Sequence, residues 1–342
     1  MERMMLRRLT YFLGSNNLLP REQYGFRRGH STEDQILYYC QCVRDTQNLK
    51  KTDQSYSRVA FLDLTKAFDT VWRNKLILKM LDVFGIKGKA LPWISYFLKS
   101  RVIRVKYNKS LSKDFKLSQG VPQGLVLSPM VFSMFLAGVE KLITENSSIG
   151  LFTDDIVLWH SSHDIPSIEA NISQFLSRVN DFATNHKLSF NLTKSVTSFF
   201  TTNRHLYKYQ PTVFIKDQNL LYVKHPNYLG FTLDQEIFCN WHIEDLINKS
   251  RKRLNILKYI SGRDWGADVS TLKTTYTTLI RPVLEFGSAI FFITSDSNLK
   301  KLERIQLSAA KIITGLRNSC PNNLVLHECD LQPLNMRRNY CF

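Results

Sequence analysis

Three aspartates occupy positions where carboxylates can do chemistry. Asp63 ends the apolar run VAFL (59–62), and Asp154 and Asp155 stand between the apolar stretches GLF (150–152) and IVLW (156–159). A charge at the end of a buried strand is costly unless it is paired or holds a metal. Two adjacent carboxylates at a buried turn repel one another, and a bound cation removes that cost. If the strand and the turn are neighbours in one sheet, the three carboxylates converge. Such a cluster suits two Mg²⁺ ions about 3.5–4 Å apart, the arrangement of in-line phosphoryl transfer. Mg²⁺ takes one or two carboxylates and completes its shell with phosphates and water. Taken singly, each group also has a plainer explanation. Asp63 fits a strand-end or helix-capping Asp, and Asp-Asp is ordinary turn chemistry.

Several elements must position these groups. SRVAFLDLTKAFD (57–69) reads as a short buried strand that turns into a helix opened by Lys66. Phe68, Val71, Trp72, Leu76 and Met80 recur on one face of that helix. SIGLFTDDIVLWH (148–160) reads as a hairpin with the two carboxylates at its tip. The loop SQGVPQGLVLSP (118–129) is constrained by Gly120, Pro122 and Gly124 and offers the amides of Gln119 and Gln123. Its glycines allow a ligand to approach the backbone, and a helix over 126–135 stands behind it. An amphipathic helix over 168–183 follows the hairpin. LSFNLTKSVTSFF (188–200) reads as a strand carrying Lys194, and 211–216, 220–224 and 228–234 as three further strands. From Trp241 the pattern is helical, with Ile243, Leu246, Ile247, Leu254 and Leu257 on one face. Pro282 interrupts a second helix, and Gly315 stops a third that carries Leu299, Leu302, Ile305, Ala309 and Ile312.

Charge narrows the class of partner. The 342 residues contain 46 Lys and Arg against 29 Asp and Glu, a net +17, and 44% are hydrophobic. That supports a large core and a polyanionic partner, nucleic acid before an anionic membrane. No apolar run reaches the ~18 residues of a transmembrane helix. The basic start lacks the apolar centre of a secretory signal, so the reading is an intracellular protein, nuclear or cytoplasmic. Arg101, Arg104, Lys106, Lys109, Lys113 and Lys116 make a basic hairpin of 101–118, and Lys249, Arg251, Lys252, Arg253 and Lys258 crowd the helix after Trp241. Both suit a phosphate backbone, as they suit a solvated face. Gly25, Arg27, Arg28 and Gly29 precede a helix that Ser31 or Thr32 can cap, a place for a phosphate or a plain basic turn. Residues 45–57 read as a loop. The six cysteines lack zinc spacing; Cys320, His327 and Cys329 come nearest, and free thiols are the simpler reading.

FLDLTKAFD, QGVPQGLVLSP and FTDD, in that order, resemble the three central palm motifs of reverse transcriptases. With QYGFRRGHST before them and YLGFTLD after, nearly the whole chain resembles the polymerase of non-LTR retrotransposons of the jockey type. The resemblance implies an α+β right-hand polymerase fold with an antiparallel-sheet palm, partial fingers and a helical thumb. It divides the chain into partial fingers over 1–58, a palm over 59–239 and a thumb over 240–342, with 85–118 a helix-hairpin insertion toward the fingers.

The same resemblance assigns roles. Asp63, Asp154 and Asp155 would hold two Mg²⁺ ions, or Mn²⁺ in their place, assisted by the Leu64 carbonyl. Phe68 would stack under the incoming sugar and exclude a 2′-hydroxyl. Gln123 and Gly124 would touch the dNTP, and Arg27 and Arg28 the template or triphosphate. Lys194 would sit near the leaving pyrophosphate. Tyr228, Leu229 and Gly230 would grip the primer end. Arg104, Lys106, Arg251, Lys252 and Arg253 would bind nucleic acid, and the partners would be an RNA template, a DNA primer and dNTPs, with no membrane.

Three departures from the family pattern bear on activity. Thr153 replaces the usual Ala, and Leu125 a common Ser. The chain starts after a fingers segment with a triphosphate-binding Arg-Pro motif, so it is expected to bind primer-template and extend it poorly. Two other classes stay open: an inactive remnant that only binds nucleic acid, and an RNA-dependent RNA polymerase, against which Phe68 speaks.

Overall fold

The computed structural model describes residues 1–48, 56–99, 101–144, 147–216, 218–262 and 265–338. Most of the loop expected over 45–57 lies outside them. The described residues group into two compact units. One comprises residues 1–35 and 45–223, and the other residues 36–44 and the chain from Lys224 onward. No helix among the described residues is long and apolar enough to cross a membrane.

The first unit is built on a five-stranded sheet. Its spatial order is Leu221–Tyr222, Val196–Phe200, Tyr56–Asp63, Asp155–Ser162, Ser147–Phe152. Neighbours are antiparallel except for the two-residue edge strand Leu221–Tyr222, which runs parallel to Val196–Phe200. The expected antiparallel sheet is therefore mixed at one edge. The central strand Tyr56–Asp63 has its six inner residues buried, as a strand covered on both faces requires.

Side-chain alternation assigns the faces. Ala60 and Leu62, with Ile149, Leu151, Ile156 and Leu158, enter one core with the helices Ser128–Leu136 and Ile165–Asn185. Eight of the nine residues of Ser128–Leu136 are buried, so this helix is the centre of the unit. Arg58 lies on that same face, fully buried, and its guanidinium is paired with Glu169 of the second helix at 2.7 Å. Asp63 and Asp155 alternate onto the opposite face. The helix Ile165–Asn185 starts where Asp164 accepts a hydrogen bond from the Ser167 amide.

Several elements depart from the sequence reading. The helix after Asp63 is two helices, Ala67–Thr70 and Arg73–Asp82, broken at Val71 and Trp72. The break frees carbonyls for another segment: Phe68 accepts from the Val121 amide and Val71 from the Gly120 amide. The stretch 188–200 is a turn followed by the strand Val196–Phe200, so Lys194 is not in a strand. Residues 228–234 are not one strand but part of a hairpin, Asn227–Tyr228 against Phe231–Thr232. The basic hairpin forms in two pieces, Arg101–Ile103 with Phe115–Leu117 and Lys106–Tyr107 with Ser110–Leu111.

The second unit is helical beyond that small hairpin. Asn240–Ile260 buries Ile243, Leu246, Ile247, Leu254 and Leu257 as the pattern required. That face packs on the helix Asp296–Thr314 and on the segment 276–285 of the same unit. Around Pro282 the helix is not cut. Val269–Thr275 passes through a π-helical turn, Tyr276–Ile280, into Arg281–Glu285. The widened turn accommodates the missing proline N–H. Gly315 ends the last long helix in the left-handed conformation.

Candidate active site

The carboxylates meet through sheet register. Asp63 is the last residue of the central strand, and its Cα partner across the ladder is Asp155, the first residue of the next. Directly opposed residues in such a ladder have Cα atoms about 4.5–5.5 Å apart. On its other side Asp155 pairs with Phe152, which closes a two-residue turn of Thr153 and Asp154. The three aspartates thus occupy one end of two adjacent strands.

A segment after the second helix straps this end down. The Asp63 amide donates to Ser195 Oγ at 3.1 Å, and the Asp63 carbonyl accepts from the Asn191 amide at 2.8 Å. The Thr65 amide donates to the Ser189 carbonyl, and Leu64, itself buried, is bridged to Phe190. The turn 191–195 closes on itself through Ser195 Oγ, which donates to the Asn191 carbonyl at 2.9 Å. Lys194 rides on that turn, exposed, with its Nζ 4.0 Å from Asp63 Oδ2.

The electrostatics are those of crowded negative charge. Burial pushes the Asp155 carboxyl up to about 6, with Asp154 and Asp63 adding to the rise and Lys194 opposing it. The Asp154 carboxyl is raised as well, chiefly by burial and further by Asp63. Hard oxygen donors that repel one another fit a divalent cation, which would lower both carboxyls at once. Among the described residues no three His, Cys, Asp or Glu side chains close on one point. Cys320, His327 and Cys329 do not close on one point either.

The Gly/Pro loop lies against the two short helices after Asp63. Arg73 holds it by three backbone carbonyls, donating from Nε to Gly120, from Nη1 to Leu117 and from Nη2 to Gln119, at 2.7–2.8 Å. Gly120 has a positive φ of 81°, and a Cβ there would lie 2.6 Å from the Asp69 carbonyl oxygen. Gln123 is exposed and donates to Asp69 Oδ1 at 3.2 Å. Gly124 is exposed beside it. Phe68 is half-buried and stacks on Phe132 with ring centroids 4.4 Å apart. It is therefore both a core contact and a partly open surface.

The segment QYGFRRGHST behaves differently from its reading. Arg28 is exposed, but Arg27 is half-buried and donates to the Pro20 carbonyl at 3.1 Å. Ser31, not Thr32, caps the helix Thr32–Gln47: its amide and hydroxyl donate to Asp34 Oδ2, and its Oγ accepts from the Asp34 amide. Gly25 packs against the carboxylate turn. Its amide and that of Thr153 both donate to Gln23 Oε1. Gln23, Arg73 and Ser195 also build the site and are absent from the sequence reading; a side-chain carbonyl that meets a turn 130 residues away leaves no local signal.

The remaining candidates belong to the basic hairpin and to the second unit. Arg104 forms an ion pair with Asp114, their second contact measuring 3.0 Å, whereas Lys106 is exposed. Tyr228 is buried and edge-on to Tyr39, while Leu229 and Gly230 form the tip of their hairpin. Arg251 and Lys252 line a groove of about 680 Å³ between two helices, together with Lys258, Lys301 and Arg304. Arg253 does not line that groove: its guanidinium donates to the Leu279 carbonyl.

Known proteins resemble this chain in sequence and in fold. Over 320 residues the chain is 26% identical to a probable RNA-directed DNA polymerase from transposon X-element of Drosophila melanogaster, covering 92% of this chain and 34% of that protein. It is 24% identical to the RNA-directed DNA polymerase from mobile element jockey of the same organism, with the same coverage of both chains. The chain thus spans about a third of the length of these relatives. An apo telomerase structure from Candida tropicalis superposes with a TM-score of 0.52 at 12% identity, over 92% of this chain and 50% of that one, which supports the right-hand polymerase fold. Residues 1–233 match the family described as reverse transcriptase (RNA-dependent DNA polymerase), and the chain belongs to that family.

Proposed function

We propose that this chain is the polymerase domain of a mobile element and performs RNA-templated DNA synthesis, joining a deoxynucleotide to a primer 3′-hydroxyl. The observation that carries the reading is the in-register pairing of Asp63 with Asp155, beside Asp154, in a chain of the reverse transcriptase family. Reverse transcriptases use divalent metal ions. Here Asp63, Asp154, Asp155 and the Leu64 carbonyl would hold Mg²⁺, two ions in our reading, or Mn²⁺ in their place. Bound metal supplies charge neutralisation at the transferring phosphate and a more acidic 3′-hydroxyl.

The protein's own part is placement and exclusion. Lys194, held by the 191–195 turn, supplies positive charge beside Asp63, where a leaving pyrophosphate would need it. Phe68, backed by the fully buried Phe132, would wall off the place of a 2′-hydroxyl. Arg73 fixes the loop from which Gln123 and Gly124 reach the nucleotide. Arg28 is open to the template or triphosphate, with Arg27 shaping the turn beneath it. Leu229 and Gly230 meet the primer end from a hairpin rooted by Tyr228. Lys106 and the groove around Arg251 and Lys252 meet phosphate backbone. In this reading residues 1–58 are partial fingers, 59–239 palm and 240–342 thumb. The enzyme works inside the cell, in nucleus or cytoplasm.

The test is primer extension on poly(rA)·oligo(dT) with dTTP and Mg²⁺ by a polymerase carrying residues 1–342. The reading expects metal-dependent addition of dTMP and discrimination against UTP. Incorporation of UTP at parity with dTTP would favour a ribonucleotide polymerase. Tight binding of the primer-template with no extension under any metal would favour a remnant that only binds nucleic acid.

A further inference from the structure

We infer that Gln23 is a positioning residue: its side-chain carbonyl holds Thr153 in the left-handed conformation from which the turn presents Asp154 and Asp155. Three observations converge on it. Thr153 has φ +58°, a conformation that a β-branched residue adopts only when its surroundings impose it. Its amide donates to Gln23 Oε1 at 3.2 Å, and the Gly25 amide donates to the same oxygen at 3.0 Å. Gln23 is itself 2% exposed, so water does not compete for that oxygen. Two N–H donors on one atom also fix which end of the amide faces the turn.

The backbone around Gln23 is anchored to the same hairpin. The Tyr24 amide donates to the Leu151 carbonyl and the Leu151 amide to the Glu22 carbonyl, each at 2.9 Å, so residues 22–24 run as a parallel bridge along the strand that leads into the turn. The oxygen is thus held by one strand-like segment and delivered to the next turn. Loss of the oxygen leaves the buried Gly25 amide and the half-buried Thr153 amide without this acceptor and the strained φ without its restraint. The conformational part of this inference stands without the polymerase reading; only its consequence for catalysis rests on it.

The test is amide hydrogen exchange by mass spectrometry on the whole chain, with wild type, Gln23→Leu, and Gln23→Leu combined with Thr153→Gly. Leucine keeps most of the volume and removes the acceptor. Exchange in peptides covering 150–156 is expected to rise about tenfold in Gln23→Leu while the helix Ile165–Asn185 stays protected. Glycine takes a positive φ without steric cost, so the added Thr153→Gly is expected to restore most of the protection. An equal rise in both regions, no rise, or no recovery with glycine would overturn the inference. If Gln23→Leu fails to fold, recovery of folding by Thr153→Gly supports it and failure of both overturns it. In primer extension, Gln23→Leu is expected to lower kcat with the dNTP KM retained. Extension by none of the proteins counts against the polymerase reading and leaves the exchange result standing.

Discussion

The amide nitrogen of Thr153 lies 2.4 Å from where a Cβ on Gly25 would sit. That is far inside van der Waals contact, and the obstacle is backbone that cannot swing away. Gly25→Ala is therefore expected to push the turn off Gln23 and to cost about 1–3 kcal/mol, the range of overpacked cores. Thermal or denaturant unfolding checks it. An unchanged midpoint would show that the two segments are not packed as described.

Asp155 should destabilise the metal-free protein at neutral pH. Its folded carboxyl is pushed up to about 6, chiefly by burial and further by Asp154 and Asp63, against a usual value of 3.8. Between those values the folded state holds the proton and the unfolded state does not. Wild type therefore gains stability from this group as pH falls from about 7 to about 4. Asp155→Asn is expected to be more stable at pH 7 by up to about 3 kcal/mol, and nearer 1–2 once solvent screening is counted. The advantage should fade below pH about 4. Denaturant melts of both proteins across that range measure it, and a variant less stable at pH 7 would contradict the crowding of charge.

The thumb-like groove makes a separable claim. Arg251, Lys252 and Arg304 line it, Lys301 there is paired with Glu244, and Arg253 is tied to the Leu279 carbonyl. Neutralising Arg251, Lys252 and Arg304 is expected to flatten the slope of log K against log salt by up to about 2–3, at roughly 0.9 per phosphate contact. Arg253→Gln should leave the slope where it was. Equal effects from Arg253 and from the groove residues would mean that the groove is not the contact surface.

Phe68 decides sugar choice in this account. Phe68→Val opens space beside Phe132 without adding a polar group. The ratio of rNTP to dNTP use is expected to rise while dNTP incorporation drops modestly, because the effect is steric. An unchanged ratio in an active variant would leave Phe68 as core packing alone.

Much of this was legible in the sequence because the site lies on regular elements with strong patterns. The apolar run before Asp63 and the hairpin about Asp154 and Asp155 gave the strands, and sheet register did the rest. Helix ends were less legible where tertiary bonds compete. Val71 and Phe68 surrender their carbonyls to the loop at Gly120 and Val121, so an unbroken helical pattern became two helices. Alternation over 188–195 imitates a strand around Lys194, whereas Ser195 and Asn191 close a turn there. Arg253 shared the charge of its neighbours in the sequence, and only helix packing separated it from them. The brace at Gln23 could not be read at all, since it joins segments with no local signal between them.

The central claim is that the carboxylates at the end of the two central strands perform nucleotidyl transfer. Single-turnover addition of one dNTP to a primer on an RNA template, by a polymerase carrying residues 1–342 with and without Asp154→Asn, tests it most directly. The substitution removes charge and keeps shape, so the rate is expected to fall by about a thousandfold or more, with primer-template affinity changed less than about twofold. Near-normal incorporation by the Asn variant would contradict the account.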